Sequence, residues 1–272
     1  MNGTPAAGAG PSANGAAPAA LPAGAGLERL PLPAGGALEL ATVAVAESAP
    51  GSAVAQHEPA QAAAMAAAWV GAAPLVEPAG RGAPQIVTVP LYDSHVVWSP
   101  ARAAVVGPAS RLGQLRAALA EFAAREAELR DAERRAANLL DETEADAAVA
   151  CLVDERLTRR HDTAAARYRE AVAVRRSLAG LSAAIHAPPI HPPTLASQLG
   201  ERLRDRTRLA ERHEHAVEKA ELAERVAEAC GQRAADLVIA RRQLALEWAI
   251  VALLVAQTVL LLVDALASRG TP

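Results

Sequence analysis

Sixteen consecutive residues, Trp248–Val263, carry no charge, no glycine and no proline. Widened to Leu244–Leu266, the apolar segment is 23 residues with one acid near each end, Glu247 and Asp264. A helix needs about 20 apolar residues to cross a bilayer core, so the segment is long enough when those acids lie near the headgroups. Trp248 falls one residue inside Glu247, where an interfacial aromatic sits. Arg241 and Arg242 precede the segment and Arg269 follows it. Residues 244–266 therefore read as a single transmembrane helix with a short tail, 267–272, after it. Its anchor residues are Trp248, Ile250, Val251, Leu253, Leu254, Val255, Val259, Leu260, Leu261, Leu262 and Val263, flanked by Arg241, Arg242, Glu247 and Asp264. The alternative is a soluble helical bundle with 244–266 as its core helix. The rest of the chain offers little that is apolar enough to cover such a helix.

Composition limits what stands before the span. Hydrophobic residues make up 51% of the 272, but aromatics only 2%, so a large, deep core is not expected. The Ala-rich, charge-rich remainder suits long helices. A net charge of −3 leaves no surplus of cations to neutralise phosphates, which argues against nucleic acid as a partner. Two cysteines, Cys151 and Cys230, make no disulfide framework.

Residues 1–35 are mostly Ala, Gly, Pro, Ser and Asn and read as disordered, because they bury too little to offset chain entropy. No signal peptide is expected there, since residues 1–27 hold no charge and no apolar h-region. Residues 36–107 read as a small α/β module. A strand is expected at Ala37–Ala46, a helix at Pro59–Val70 and a strand at Gln85–Leu91, with further strands at Val96–Trp98 and Ala103–Val106. Strand, helix, strand at this spacing predicts a βαβ unit.

Residues 108–243 change character. Gln114–Ala179 is 66 residues without Gly or Pro. Leu112, Leu115, Leu119 and Phe122 follow a 3-4-3 spacing that continues through Glu126, Leu129, Glu133, Ala136, Leu140 and Thr143, a coiled-coil or hairpin seam weakened by its two glutamates. A kink is expected around Thr158–Thr163. The prolines of 186–193 end this helix, and Thr194 is a good N-cap for the next, which runs on into the apolar segment. The expected fold is mainly α with a small α/β module: a disordered N-terminus, a long antiparallel helical hairpin with its loop at 186–193, and a C-terminal transmembrane helix. The helical region holds 23 of the 27 basic and 22 of the 30 acidic residues, which fits solvated faces laced with ion pairs.

The chemistry-bearing residue types form no convincing catalytic or metal site. Cys151 and Cys230 lie almost symmetrically about the Pro-rich loop and could face each other as a thiol pair; the plainer reading is two small residues in an Ala-rich seam. His213-Glu214-His215 places its imidazoles at i and i+2, on different sides of a helix, and reads as solvated surface. His186 and His191 would need further ligands close by to hold a metal. The run Asp141-Glu142-Thr143-Glu144-Ala145-Asp146 lacks the glycine turn of a calcium loop. Asp93-Ser94-His95 marks a turn, since triads are assembled from separate elements. Phosphate-loop, dinucleotide, nucleophile-elbow and zinc-protease motifs do not occur. No enzyme, cofactor or metal is expected. Gln257, mid-span, favours hydrogen bonding between helices, so a homo-oligomer through the span is one expected partner, beside the membrane itself and a protein bound by the helices.

The step Leu246-Glu247-Trp248 followed by Ile250, Val251 and Leu253–Val255 resembles the C-terminal motif of the "required for meiotic nuclear division" family. The order of an α/β part, paired helices and a final apolar helix is also similar. Gln257-Thr258 stands where members tend to carry an acidic residue. The resemblance implies a membrane-anchored, non-catalytic protein; mitochondrial members are linked to supporting translation at the inner membrane.

Together these readings predict a single-pass, tail-anchored scaffold or tether acting through its hairpin. Arg241 and Arg242 put the N-terminal part in the cytoplasm by the positive-inside bias. The rival from another class is a membrane-anchored sensor whose α/β module binds a small ligand.

Overall fold

A computed structural model describes residues 20–22, 24–45, 57–73, 86–150, 161–188 and 190–269, with the side chains of 57–59, 145–150, 161–162 and 263–269 left undescribed. The chain divides into two compact units. One is residues 1–131 with 185–210, and the other is 132–184 with 211–272.

The first unit is built on a five-stranded mixed sheet in the order β1-β2-β5-β4-β3. The strands are β1 (Gly26–Pro31), β2 (Ala37–Val45), β3 (Val87–Leu91), β4 (Ser94–Trp98) and β5 (Arg102–Pro108). β5 is central, and its Ala103, Ala104, Val105 and Val106 are all buried. A continuous apolar run of this kind is what a strand covered on both faces requires. β2 pairs with β5 in parallel, and every other pairing is antiparallel.

Two expectations change here. β1 lies inside the stretch read as disordered: its outermost position asks for little core, and the turn to β2 uses Gly35 and Gly36 at φ +90 and +84, where L side chains are strained. Nor are the strands flanking the first helix neighbours. The parallel partner of β2 is β5, and β3 and β4 enter the sheet beyond it as an antiparallel meander.

Helix α1 (His57–Gly71) covers one face of the sheet. Ala66, Trp69 and Val70, at helical spacing, pack on Ala41, Val43, Val97, Ala104 and Val106. Arg102 joins this helix to the sheet. Its guanidinium lies 4.8 Å from the Trp69 ring, donates to the Trp69 carbonyl at 3.3 Å and pairs with Glu39 at 2.9 Å. A cation is well placed at the carbonyl end of a helix. Side chains alternate across a strand, so Trp98 points to the opposite face from Val97. There it meets Phe122 of α2 (Ala109–Ala150) edge to face, with centroids 5.3 Å apart.

β3 is an edge strand, which explains how it tolerates Pro90: in an antiparallel pair the missing N–H faces away from the neighbour. Helix α4 (Leu195–Arg206) guards that edge, with Arg202 donating to the Pro90 carbonyl and Arg206 to the Thr88 carbonyl. Thr194 caps α4 as expected, in a reciprocal capping box with Ser197.

The packing of β4 against β5 depends on one absent methyl group. Ser94 is fully buried, and a Cβ added to Gly107 would stand 2.9 Å from the Ser94 Cβ and closer still to its hydroxyl. Gly107→Ala is therefore expected to destabilise this unit by about 1–3 kcal/mol. The Ser94 hydroxyl has no hydrogen-bond partner among the described residues, so Ser94→Ala is expected to be neutral or stabilising. The pair of signs can be checked by urea unfolding followed through Trp69 and Trp98 fluorescence.

The second unit holds, among its described residues, three helical segments: the later part of α2, α3 (His161–Ile185) and α5 (Leu209–Arg269). Contacts step down α3 as they step up α5: Leu178 with His213, Ala171 with Ala223, Ala164 with Cys230. Those two helices are therefore antiparallel. Leu139 of α2 joins Ala171 and Ala223, so α2 packs with both. Part of the expected kink, Thr158–Thr163, lies outside the described residues.

The stripe Leu115, Leu119, Phe122, Leu129, Ala136 is buried as its spacing predicts, and so are both glutamates in it. Glu126 pairs with Arg130 one turn on. Glu133 takes a two-pronged grip from Arg212, at 2.9 and 2.7 Å. The seam is thus not simply weakened by these residues, because each carries its own cation.

Candidate membrane-spanning helix

α5 is a single helix of 61 residues with two different environments along it. Up to Ala234 it buries a face of small residues, Ala216, Ala220, Ala223, Ala227, Cys230 and Ala234. From Ile239 to Leu262 every residue is exposed. Its apolar part, Leu244–Leu262, is roughly 28 Å long at 1.5 Å per residue, close to the thickness of a bilayer core. Large apolar side chains on all its sides are open, among them Trp248 at 67% and Leu253 at 71%. Leu253–Leu262 packs under no other helix among the described residues.

Isolated exposed leucines are ordinary on soluble proteins, but a continuous apolar collar of this length is not. α5 is long and apolar enough to cross a membrane, and none of its apolar window is buried. Trp248, Ile250, Val251, Leu253, Leu254, Val255, Val259, Leu260, Leu261 and Leu262 all belong to the exposed collar. Val263 and Asp264 continue the helix, with side chains outside the described residues. Arg241 and Arg242 are exposed just before the collar, and Glu247 is exposed within its first turn. Helical geometry also deals with one polar group there. The Thr258 hydroxyl donates back to the Leu254 and Val255 carbonyls of its own helix, a bond that survives removal from water.

The other singled-out residues are not brought together. Cys230 is buried against Ala164 of α3, with Val226 and Leu237 beside it, while Cys151 lies outside the described residues. The register of α3 on α5 thus puts Ala164 at the level of Cys230. Beside them is an open groove of about 370 Å³, lined by Ala164, Tyr168, Ala227 and Gly231 among others.

His213 was expected on the surface and is instead buried, its Nε2 2.9 Å from the Leu178 carbonyl, whereas His215 is exposed with its Nδ1 3.6 Å from Glu218. Positions i and i+2 do point apart. His186 and His191 are exposed. Asp141, Glu142 and Glu144 lie on the outer surface of α2, and Arg167 reaches Glu142 at 3.6 Å. Asp93 closes the β3–β4 hairpin with Tyr92, while Ser94 and His95 point to opposite faces of β4. Arg111 holds that hairpin, pairing with Asp93 at 3.5 Å and lying over the Tyr92 ring. At the α3–α5 contact the Glu224 carboxylate, by hydrogen bond and then by charge, raises the Arg175 guanidinium above its ordinary pKa. Sequence reading missed Arg212 as the partner of Glu133. Its only advance signal was a buried-type acid at a seam position, which requires a cation from elsewhere in the fold.

No family model matches the chain, and neither a curated protein nor a solved structure matches it.

Proposed function

We propose that this chain is a single-pass membrane protein that serves as a non-catalytic scaffold or tether. α5 is its anchor, and the sheet unit and helical bundle are what it displays. The observation that carries the reading is the apolar collar from Leu244 to Leu262, exposed at every residue along a helix that buries a face of small residues up to Ala234. Leaving that much apolar surface in water is unfavourable by about 25 cal/mol per Å², and a bilayer removes the penalty without any further protein. Arg241 and Arg242 put the displayed units on the cytoplasmic side. The resemblance carried by Leu246-Glu247-Trp248 points the same way, to an anchored protein without catalysis.

The test compares full-length protein with a version ending at Arg242. The full chain is expected to stay with membranes through alkaline carbonate and to leave them only in detergent. The shortened chain is expected in the soluble fraction. Release of the full chain by carbonate alone would sink the proposal.

A further inference from the structure

The polar residues of the exposed helix are not scattered. Gln243, Glu247, Ile250, Leu254, Gln257, Leu261 and Asp264 follow one another at alternating steps of four and three, a heptad seam along one side of α5. Every polar or charged residue from Gln243 to Asp264 lies on that seam except Thr258, whose hydroxyl is satisfied within its own helix. Among the described residues no hydrogen bond reaches the amides of Gln243 or Gln257, and no cation pairs with Glu247. Gln257 lies within about two residues of the middle of the apolar segment, where hydrocarbon offers its amide nothing.

From this we infer that α5 pairs in the membrane with α5 of a second copy of this chain, in parallel, along the Gln243–Asp264 seam. The inference rests on the anchoring proposed above. The occupant follows from the chemistry of the amide. Two copies anchored from the same side hold Gln257 at the same depth, and an amide both donates and accepts, so each satisfies the other. A different partner would have to present a matching polar group at that same depth. Ile250, Leu254 and Leu261 fill the layers between. A repeat of 3.5 residues on a helix of 3.6 gives the pair a left-handed crossing. Glu247 stands opposite its copy at the headgroup edge, where water reaches it and where two charged carboxylates oppose the pairing.

Cysteine cross-linking of the full chain in membranes tests this. Cys151→Ser and Cys230→Ser remove the native thiols. Single cysteines are then placed on the seam (I250C, L254C, L261C) and on the opposite side (A252C, V259C), each followed by carbonate washing and mild oxidation. Cross-linked dimer is expected severalfold more at the seam positions. Adding Gln257→Leu to L254C is expected to lower the yield roughly threefold or more, Gln257→Asn to retain it, and Glu247→Gln to raise it. Equal yields on both sides, or none, with the protein still in the washed membranes would overturn the pairing and leave the anchor standing. Loss of the protein in the carbonate wash would overturn the anchor itself, and the pairing with it.

Discussion

Arg212→Met is expected to destabilise the helical unit by about 3–5 kcal/mol, because it strands a carboxylate in the protein interior. The Glu133 and Arg212 side chains are each only 7% exposed. Both oxygens of Glu133 are engaged, Oε1 by Nε at 2.9 Å and Oε2 by Nη2 at 2.7 Å, so the pair has the planar two-pronged geometry that only arginine supplies. Removing the cation leaves the desolvated anion with neither water nor partner. Removing both charges is a different experiment. Glu133→Leu with Arg212→Met replaces the pair by apolar groups of similar volume and is expected to recover most of the loss, or to exceed the starting stability. Hydrogen exchange of the α2 amides around Glu133, together with urea unfolding of the full chain in detergent, reads both variants. A cost below about 1 kcal/mol for Arg212→Met would mean that Glu133 behaves as a surface ion pair. The pair matters to the fold through position more than through strength, since it joins residues 79 apart in sequence and sets where α5 begins to run along α2.

The contrast between the two buried glutamates shows how far the sequence could be read. Arg130 follows Glu126 by one helical turn, a local relation visible in the sequence. Arg212 lies beyond a proline-rich loop and another helix, and nothing local announces it. The same division runs through the fold. The strand at Ala37–Val45, the helix from His57 and the strand ending at Leu91 follow from alternation and helix-forming alanines, and they appear within a few residues of expectation. Strand partnership does not follow from local pattern, so the parallel pairing of β2 with β5 was not foreseen. β1 was missed because Leu27 and Leu30 give a weak pattern in a Gly- and Pro-rich stretch, and what holds it lies elsewhere in the chain: its pairing with β2 and the ion pair of Glu28 with Arg116 of α2. His213 was misplaced for a related reason. Its composition fits a wet helix face, but its position on α5 turns it toward the Leu178 carbonyl. The candidate anchor was legible throughout because it depends on length and polarity alone, which no distant contact has to complete.

That independence gives the second large expectation. Val255 and Val259 lie in the middle of the exposed collar, 57% and 54% exposed, away from the Gln257 seam. Replacing both with lysine places two charges near the bilayer centre, at about 2.5–3.5 kcal/mol each on an insertion scale. Their sum is a factor of roughly 10⁴ or more in partitioning, since each 1.4 kcal/mol is tenfold. The double variant is therefore expected to leave the carbonate-resistant membrane fraction. It is also expected to unfold at the same urea concentration as the parent when followed at Trp98, because neither valine packs against the sheet. A buried core helix would respond in the opposite way: two lysines would collapse the fold, and there would be no membrane fraction to lose. Retention in carbonate-washed membranes despite both lysines would show that something other than insertion of α5 holds the chain there.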